Sequence, residues 1–213
     1  MKLYGYRNGR TLRALWALEE VAARYEYVEV DLFRGEGRQP WFLQINPAGK
    51  VPVLEDGGTV ITESAAICLH LAEKYPETKL LPPAGTLDRT ACYKWTSFIL
   101  TELDALLWTI AKHRFGLPKE RRVPAVIETA EWEFGVAVKI LAAGLGHRPY
   151  LVGDSFTVAD ILAGHTLLWA KSARLPLDSD NLEKYLEELT ARDAFRRARQ
   201  VAAAPESVSR DVM

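Results

Sequence analysis

The residues from Asn46 to Ser64, Asn-Pro-Ala-Gly-Lys-Val-Pro-Val-Leu-Glu-Asp-Gly-Gly-Thr-Val-Ile-Thr-Glu-Ser, combine backbone and side-chain groups suited to holding a small peptide-like ligand. Proline has no N–H for a sheet ladder, so the chain ahead of Pro52 stands outside ordinary pairing and Val51 is left free to pair elsewhere. With a cis Val51–Pro52 bond, the N–H and C=O of Val51 turn outward together and bind a peptide backbone as an added strand does. Only about 5–6% of X-Pro bonds in folded proteins are cis, so the residues alone point to an ordinary trans strand start. At the other end, Thr62-Glu63-Ser64 precedes the periodic apolar set Ala65, Ala66, Ile67, Leu69, Leu71 and Ala72, with a hydroxyl placed to cap a helix. The free N–H groups of a helix start favour a carboxylate. An isolated Ser or Thr cap, however, ordinarily serves only its own helix.

These groups need a scaffold, and the flanking sequence supplies one. Lys2 to Tyr6 reads as a short strand, and Leu12, Leu15, Trp16, Leu18, Val21 and Ala22 recur at helical spacing from Thr11 to about Tyr25. Tyr27 to Leu32 alternates as a half-buried strand, parallel to the first by a right-handed crossover. Phe33 to Gln39 is a loop, and Pro40 to Ile45 an irregular helix ended by Asn46-Pro47. A hairpin of Val51–Leu54 and Thr59–Ile61 and a helix from Ser64 to about Tyr75 complete a βαβ-ββα, thioredoxin-like plan. Pro76, Pro82, Pro83 and Gly85 crowd the next stretch, and no strand pattern follows. The expected organisation is α+β: a thioredoxin-like domain over residues 1–78, then an all-α domain over 86–213.

In the second part, long helices are expected from Leu87 to about His113 and from Glu120 to about Leu145, the latter delayed by Pro124. Thr157 and Asp160 have capping-box spacing, with a carboxylate in place of the usual Glu or Gln, a structural feature beside a core. Helices over 181–189 and 191–203 precede a polar tail from Pro205. No internal repeat is present.

The chain has 213 residues, 48% hydrophobic and 26% charged, with a formal net charge of −1. This is the composition of a globule with no broad pull toward nucleic acid or an anionic membrane. The N-terminus carries no apolar signal core, and no run reaches the roughly 18 apolar residues of a membrane span, so a cytosolic protein is expected. Cys68 and Cys92 lack Cys-x-x-Cys spacing and are expected as small core residues; the four histidines lack ligand spacing, so no metal site is expected.

Asn-Pro-x-Gly-Lys-Val-Pro-Val-Leu followed by Thr-Glu-Ser-x-x-Ile resembles the glutathione-binding signature of the soluble glutathione transferase family. The segment around Thr157 to Asp160 is similar to that family's buried helix cap, and the resemblance spans nearly the whole chain. It implies a cis bond before Pro52, with Val51 gripping the cysteinyl backbone, Glu63 and Ser64 holding the γ-glutamyl end, and Lys50 facing the glycyl carboxylate. Glutathione is then the co-substrate, with no metal, and the protein a homodimer.

The family's chemistry requires the glutathione sulfur to be held as thiolate. Lowering a thiol pKa from about 8.5 by about two units corresponds to roughly 2.7 kcal/mol of thiolate stabilisation. The family places the responsible donor between the first strand and first helix, where the serine of several classes falls at Asn8. Neither serine nor cysteine lies in this loop, which argues against the classes that form a mixed disulfide with the protein. The donors in order are the Asn8 amide, the Thr11 hydroxyl and the Tyr6 phenol; Asn8-Gly9 equally reads as a plain turn. Arg10 and Arg13 flank the helix start, where they would raise the local positive potential, although arginines on a first helical turn are ordinarily solvated.

An apolar electrophile is expected between the domains, near Tyr6, Trp41, Trp108, His113 and Phe115, although aromatics at helical spacing also serve as core or dimer interface. The leading expectation is conjugation of glutathione to an electrophile. Glutathione-dependent peroxide or disulfide reduction stays open, as does a non-catalytic relative that binds glutathione, apolar ligands or a protein partner.

Overall fold

The computed structural model describes residues 1–7 and 9–203 and the backbone of Val208–Arg210. Five strands make one sheet in the order β4-β3-β1-β2-β5. Strand β1 (Lys2–Gly5) pairs in parallel with β2 (Tyr25–Glu29) and antiparallel with β3 (Val53–Asp56), and β3 pairs antiparallel with β4 (Thr59–Thr62). Helix α1 (Thr11–Glu20) connects β1 to β2, α2 (Pro40–Ile45) precedes the hairpin, and α3 (Ser64–Lys74) follows it. This is the βαβ-ββα order. The fifth strand, β5 (Val208–Arg210), lies in the stretch expected as a polar tail; it pairs antiparallel with β2 and covers what is otherwise a sheet edge.

Helix α1 is shorter than its apolar pattern, which runs on to Ala22 and Tyr25. Ala22 turns into the left-handed region at φ 49°, and the N–H groups of Ala22 and Ala23 bond back to Glu19 and Leu18. This Schellman-type stop is normally built on glycine, because a Cβ in that conformation costs about 1 kcal/mol or more. Ala22→Gly is therefore expected to raise stability by about 0.5–1 kcal/mol, read as a higher urea midpoint with an unchanged slope. Strand β2 accordingly starts at Tyr25, two residues earlier than its alternation suggested, with Tyr25 and Tyr27 buried and Glu26 exposed between them. It stops before Asp31, whose carboxylate takes the N–H groups of Phe33 and Arg34 in a turn.

The reversal between β3 and β4 is anchored to α3 by Asp56. Its carboxylate accepts from Lys74 Nζ at 2.7 Å and lies 2.9 Å from His70 Nε2. Lys74 first, then His70, holds this carboxyl below its ordinary range. A lowered folded-state pKa adds stability above the ordinary value near 3.9, and that stability is lost as pH falls through the lowered value. Asp56→Asn is thus expected to lose less stability than the parent between about pH 4 and pH 2 in urea titrations at each pH.

By internal packing the chain forms two compact units: Met1–Leu81 joined by the C-terminal segment from Ala191, and Pro82–Thr190. The last helix, α9 (Asp193–Ala203), belongs to the first unit, although the sequence expectation assigned it to the helical part. Its seat is on α1: Arg192 pairs with Glu20, Arg197 with Glu19, and the Phe195 ring meets Trp16 edge-on at 4.8 Å.

The second unit is helical. The expected Leu87–His113 helix is one path interrupted by wide turns: α4 (Leu87–Phe98), π-helical Ile99–Asp104, α5 (Ala105–Ala111) and π-helical Lys112–Gly116. Helix α6 (Ala125–Leu145) begins immediately after Pro124, and α7 (Val158–Ser172) and α8 (Asp180–Thr190) follow. Gly144 lies against the Trp95 ring so closely that a Cβ there meets ring carbons at 2.1 and 2.4 Å. Cys68 and Cys92 are buried, and burial pushes the Cys68 thiol up to about 12. Among the described residues no helix is long and apolar enough to cross a membrane, and no group of three or more His, Cys, Asp or Glu side chains is set to hold a metal ion.

Candidate functional site

Strand register brings three segments of the first unit to one end of the sheet. Tyr4 pairs with Val53 and Val53 with Thr62, so the chain leaving β1, the chain entering β3 and the chain leaving β4 lie side by side. These are Tyr6, Val51–Pro52 and Glu63–Ser64. The Val51–Pro52 bond is cis, as the family resemblance implies and against the trans expectation from the residues alone. Strand β3 begins only at Val53, leaving Val51 ahead of the ladder.

The approach to Pro52 is shaped by Asn46, a buried side chain. Its Nδ2 donates to the Lys50 carbonyl at 2.7 Å and its Oδ1 accepts from the Ala48 N–H at 3.1 Å. Gly49 in this turn has φ 62°, and a Cβ there meets the Gly37 carbonyl oxygen at 2.4 Å, so a side chain is excluded twice over. Lys50 is exposed.

After β4 the chain turns on Glu63, at φ 66° and ψ 117°, and Ser64 is the first residue of α3. The hydroxyl cap expected from Thr62-Glu63-Ser64 is not made: Thr62 stays in β4, and Glu63, at the cap position, forms no side-chain cap bond. The first N–H groups of helix α3 are therefore left without a side-chain cap. Ser64 is 4% exposed, and Arg13 Nη1 donates to its Oγ in a long hydrogen bond of 3.4 Å. Arg13 is fully buried, contrary to the solvated position expected for it, because α1 is enclosed along nearly its whole length. An interior arginine on an all-round buried helix leaves no periodic signal; only the neighbourhood of Ser64, revealed by the fold, marks it.

In the loop before α1, Asn8 lies outside the described residues. Thr11 is 1% exposed, and its Oγ1 accepts from the Tyr6 N–H at 3.0 Å. It packs so tightly on Gly5 that a Cβ on that glycine meets the Thr11 methyl at 2.2 Å. Tyr6 is half-buried, with its ring 5.7 Å from that of Phe33. Trp41, exposed, stands beside Tyr4 and Phe42 in the first unit. Trp108, His113 and Phe115 belong to the second unit. Trp108 and Phe115 are exposed, whereas His113 Nδ1 accepts the Val123 N–H at 3.0 Å and so braces the chain ahead of α6. Arg122 closes the same loop by donating to the carbonyls of Arg114, Phe115 and Leu117.

A thioredoxin-like sheet with a proline-led strand, an uncapped helix start beside it and a separate helical unit define a class, and comparison with known proteins gives the family. Residues 1–73 match the glutathione S-transferase N-terminal domain and residues 104–193 the C-terminal domain. Glutathione S-transferase 3 of Zea mays is 33% identical over 216 residues, covering 96% of this chain and 95% of that protein. Among solved structures, the bacterial transferase BphK in a ternary complex superposes with a TM-score of 0.85 at 28% identity, covering 96% of this chain and all of BphK. A sphingomonad glutathione S-transferase complexed with glutathione gives 0.80 at 29% identity, covering 95% and 98%. The chain belongs to the glutathione S-transferase family.

Proposed function

We propose that the protein binds glutathione on its first unit, holds the sulfur as thiolate and directs it at an electrophilic small molecule. The observation that carries this reading is the start of α3: helix N–H groups with no side-chain cap, and a buried Ser64 backed by a buried Arg13, form a ready seat for the γ-glutamyl carboxylate. Val51 pairs with the cysteinyl backbone, Glu63 meets the γ-glutamyl ammonium, and Lys50 faces the glycyl carboxylate. The tripeptide then lies along the end of the sheet with its sulfur toward the β1–α1 loop.

The thiol donates its proton to solvent, and the thiolate is stabilised by a hydrogen bond from that loop. Asn8 is assigned this role, followed by Tyr6; Thr11 ranks last because it is only 1% exposed. With an aryl halide, the sulfur forms the new C–S bond while halide departs with the bonding electrons. Exposed Trp41, on the same unit, is assigned an apolar contact with such substrates. Positioning and anion stabilisation account for the catalysis.

The test is turnover of an aryl halide against an organic hydroperoxide and a disulfide, with and without Asn8→Ala. Conjugation of the halide is expected, with kcat about 10-fold or more lower in the variant and a raised pKa of bound glutathione, read from thiolate absorbance. Turnover confined to hydroperoxide or disulfide identifies a reductase instead. Bound glutathione with an unshifted thiol pKa in the parent identifies a non-catalytic binder.

A further inference from the structure

We infer that Arg13 is a positioning residue for glutathione: from beneath α3 it sets the direction of the Ser64 hydroxyl, so that the proton is presented to the γ-glutamyl carboxylate. This rests on the reading of the α3 start given above. The chemistry follows from donor inventory. An arginine has only donors, whereas a hydroxyl has one donor and two acceptor sites. An Arg13 N–H on Ser64 Oγ occupies an acceptor site and leaves the hydroxyl proton for a third group. A hydroxyl that accepts from a cation is also the stronger donor, because hydrogen bonds in sequence polarise one another.

Two further features support this assignment. Arg13 is fully buried and always charged, so its N–H reaches Ser64 without competition from water. Its own backbone is tied to the same helix, since Cys68 Sγ donates to the Arg13 carbonyl at 3.4 Å. The level of α1 against α3 is thereby fixed where the guanidinium meets Ser64. A merely structural arginine clamps the two helices regardless of what α3 binds; a positioning arginine is energetically coupled to Ser64 and to one ligand carboxylate.

The experiment is calorimetric titration of the full-length protein, Arg13→Gln, Ser64→Ala and the double variant. The ligands are glutathione and an analogue whose γ-glutamyl α-carboxylate is a carboxamide. Arg13→Gln is expected to weaken glutathione binding about tenfold and the carboxamide by less than about twofold, and to add less than about twofold in the Ser64→Ala background. Equal losses for both ligands, or full additivity with Ser64→Ala, overturn the inference while leaving the Ser64 reading intact. Glutathione affinity unchanged by Ser64→Ala overturns that reading and this inference with it. Near-UV circular dichroism checks folding. Should Arg13→Gln not fold, Arg13→Lys, which keeps the charge but loses the fork, is expected to weaken binding about threefold in the parent and not in the Ser64→Ala background; equal effects in both overturn the inference.

Discussion

Replacing Asp160 with alanine is expected to cost about 3–5 kcal/mol of folding stability, among the largest effects of any single change in this chain. The carboxylate is fully buried and accepts from four donors: the Leu151 N–H at 2.9 Å, the Thr157 N–H at 2.7 Å, the Thr157 hydroxyl at 3.0 Å and the Tyr185 hydroxyl at 2.7 Å. It completes the capping box of α7 while tying that helix to α8 and to the chain at Leu151. Burial pushes its carboxyl above the ordinary range, and the donors oppose that rise. Alanine leaves the donors unpaired in the interior, each worth about 1–3 kcal/mol where water does not reach it. Asparagine keeps one oxygen for Leu151 and Tyr185 but turns an amide toward Thr157, whose N–H then has no acceptor. Asp160→Asn should therefore cost less, about 1–3 kcal/mol. Urea midpoints of the two variants check the order, and an alanine variant as stable as the parent refutes the assignment.

The second large effect falls on binding. Ser64→Ala removes the hydroxyl between Arg13 and the proposed γ-glutamyl carboxylate, and glutathione affinity is expected to fall by about 1–3 kcal/mol, between roughly 5- and 150-fold. The loss should appear in Kd and in KM for glutathione, with kcat at saturation nearly unchanged, because the contact is made equally in ground and transition states. A fall in kcat with Kd unaltered contradicts the role given to Ser64. Stability should fall as well, because alanine removes the acceptor of a buried Arg13 N–H, although the α3 start has no side-chain cap to lose.

Much of this arrangement was legible in the sequence because its signals are local. Binary patterning and turn residues marked β1, α1, the β3–β4 hairpin and α3, and the Thr157/Asp160 spacing announced the cap of α7. What escaped depended on contacts distant in the chain. Arg13 sits three residues inside a helix covered on all sides, so its burial follows from packing that no periodicity records. The placement of α9 with the first unit rests on Glu19 and Glu20, more than 170 positions away from the arginines that meet them. The end of α1 was misjudged because alanine holds a left-handed turn where glycine is the usual marker. The wide helical turns between α4 and α6 carry ordinary helix-forming residues, and nothing in their pattern separates them from regular helix.

Calorimetric titration of the full-length protein with reduced glutathione tests the central claim most directly. Saturable one-site binding is expected within the millimolar range, weakened by Ser64→Ala and weakened as well when the γ-glutamyl carboxylate of the ligand is masked. Absence of saturation up to several millimolar, or affinity indifferent to that carboxylate, contradicts it.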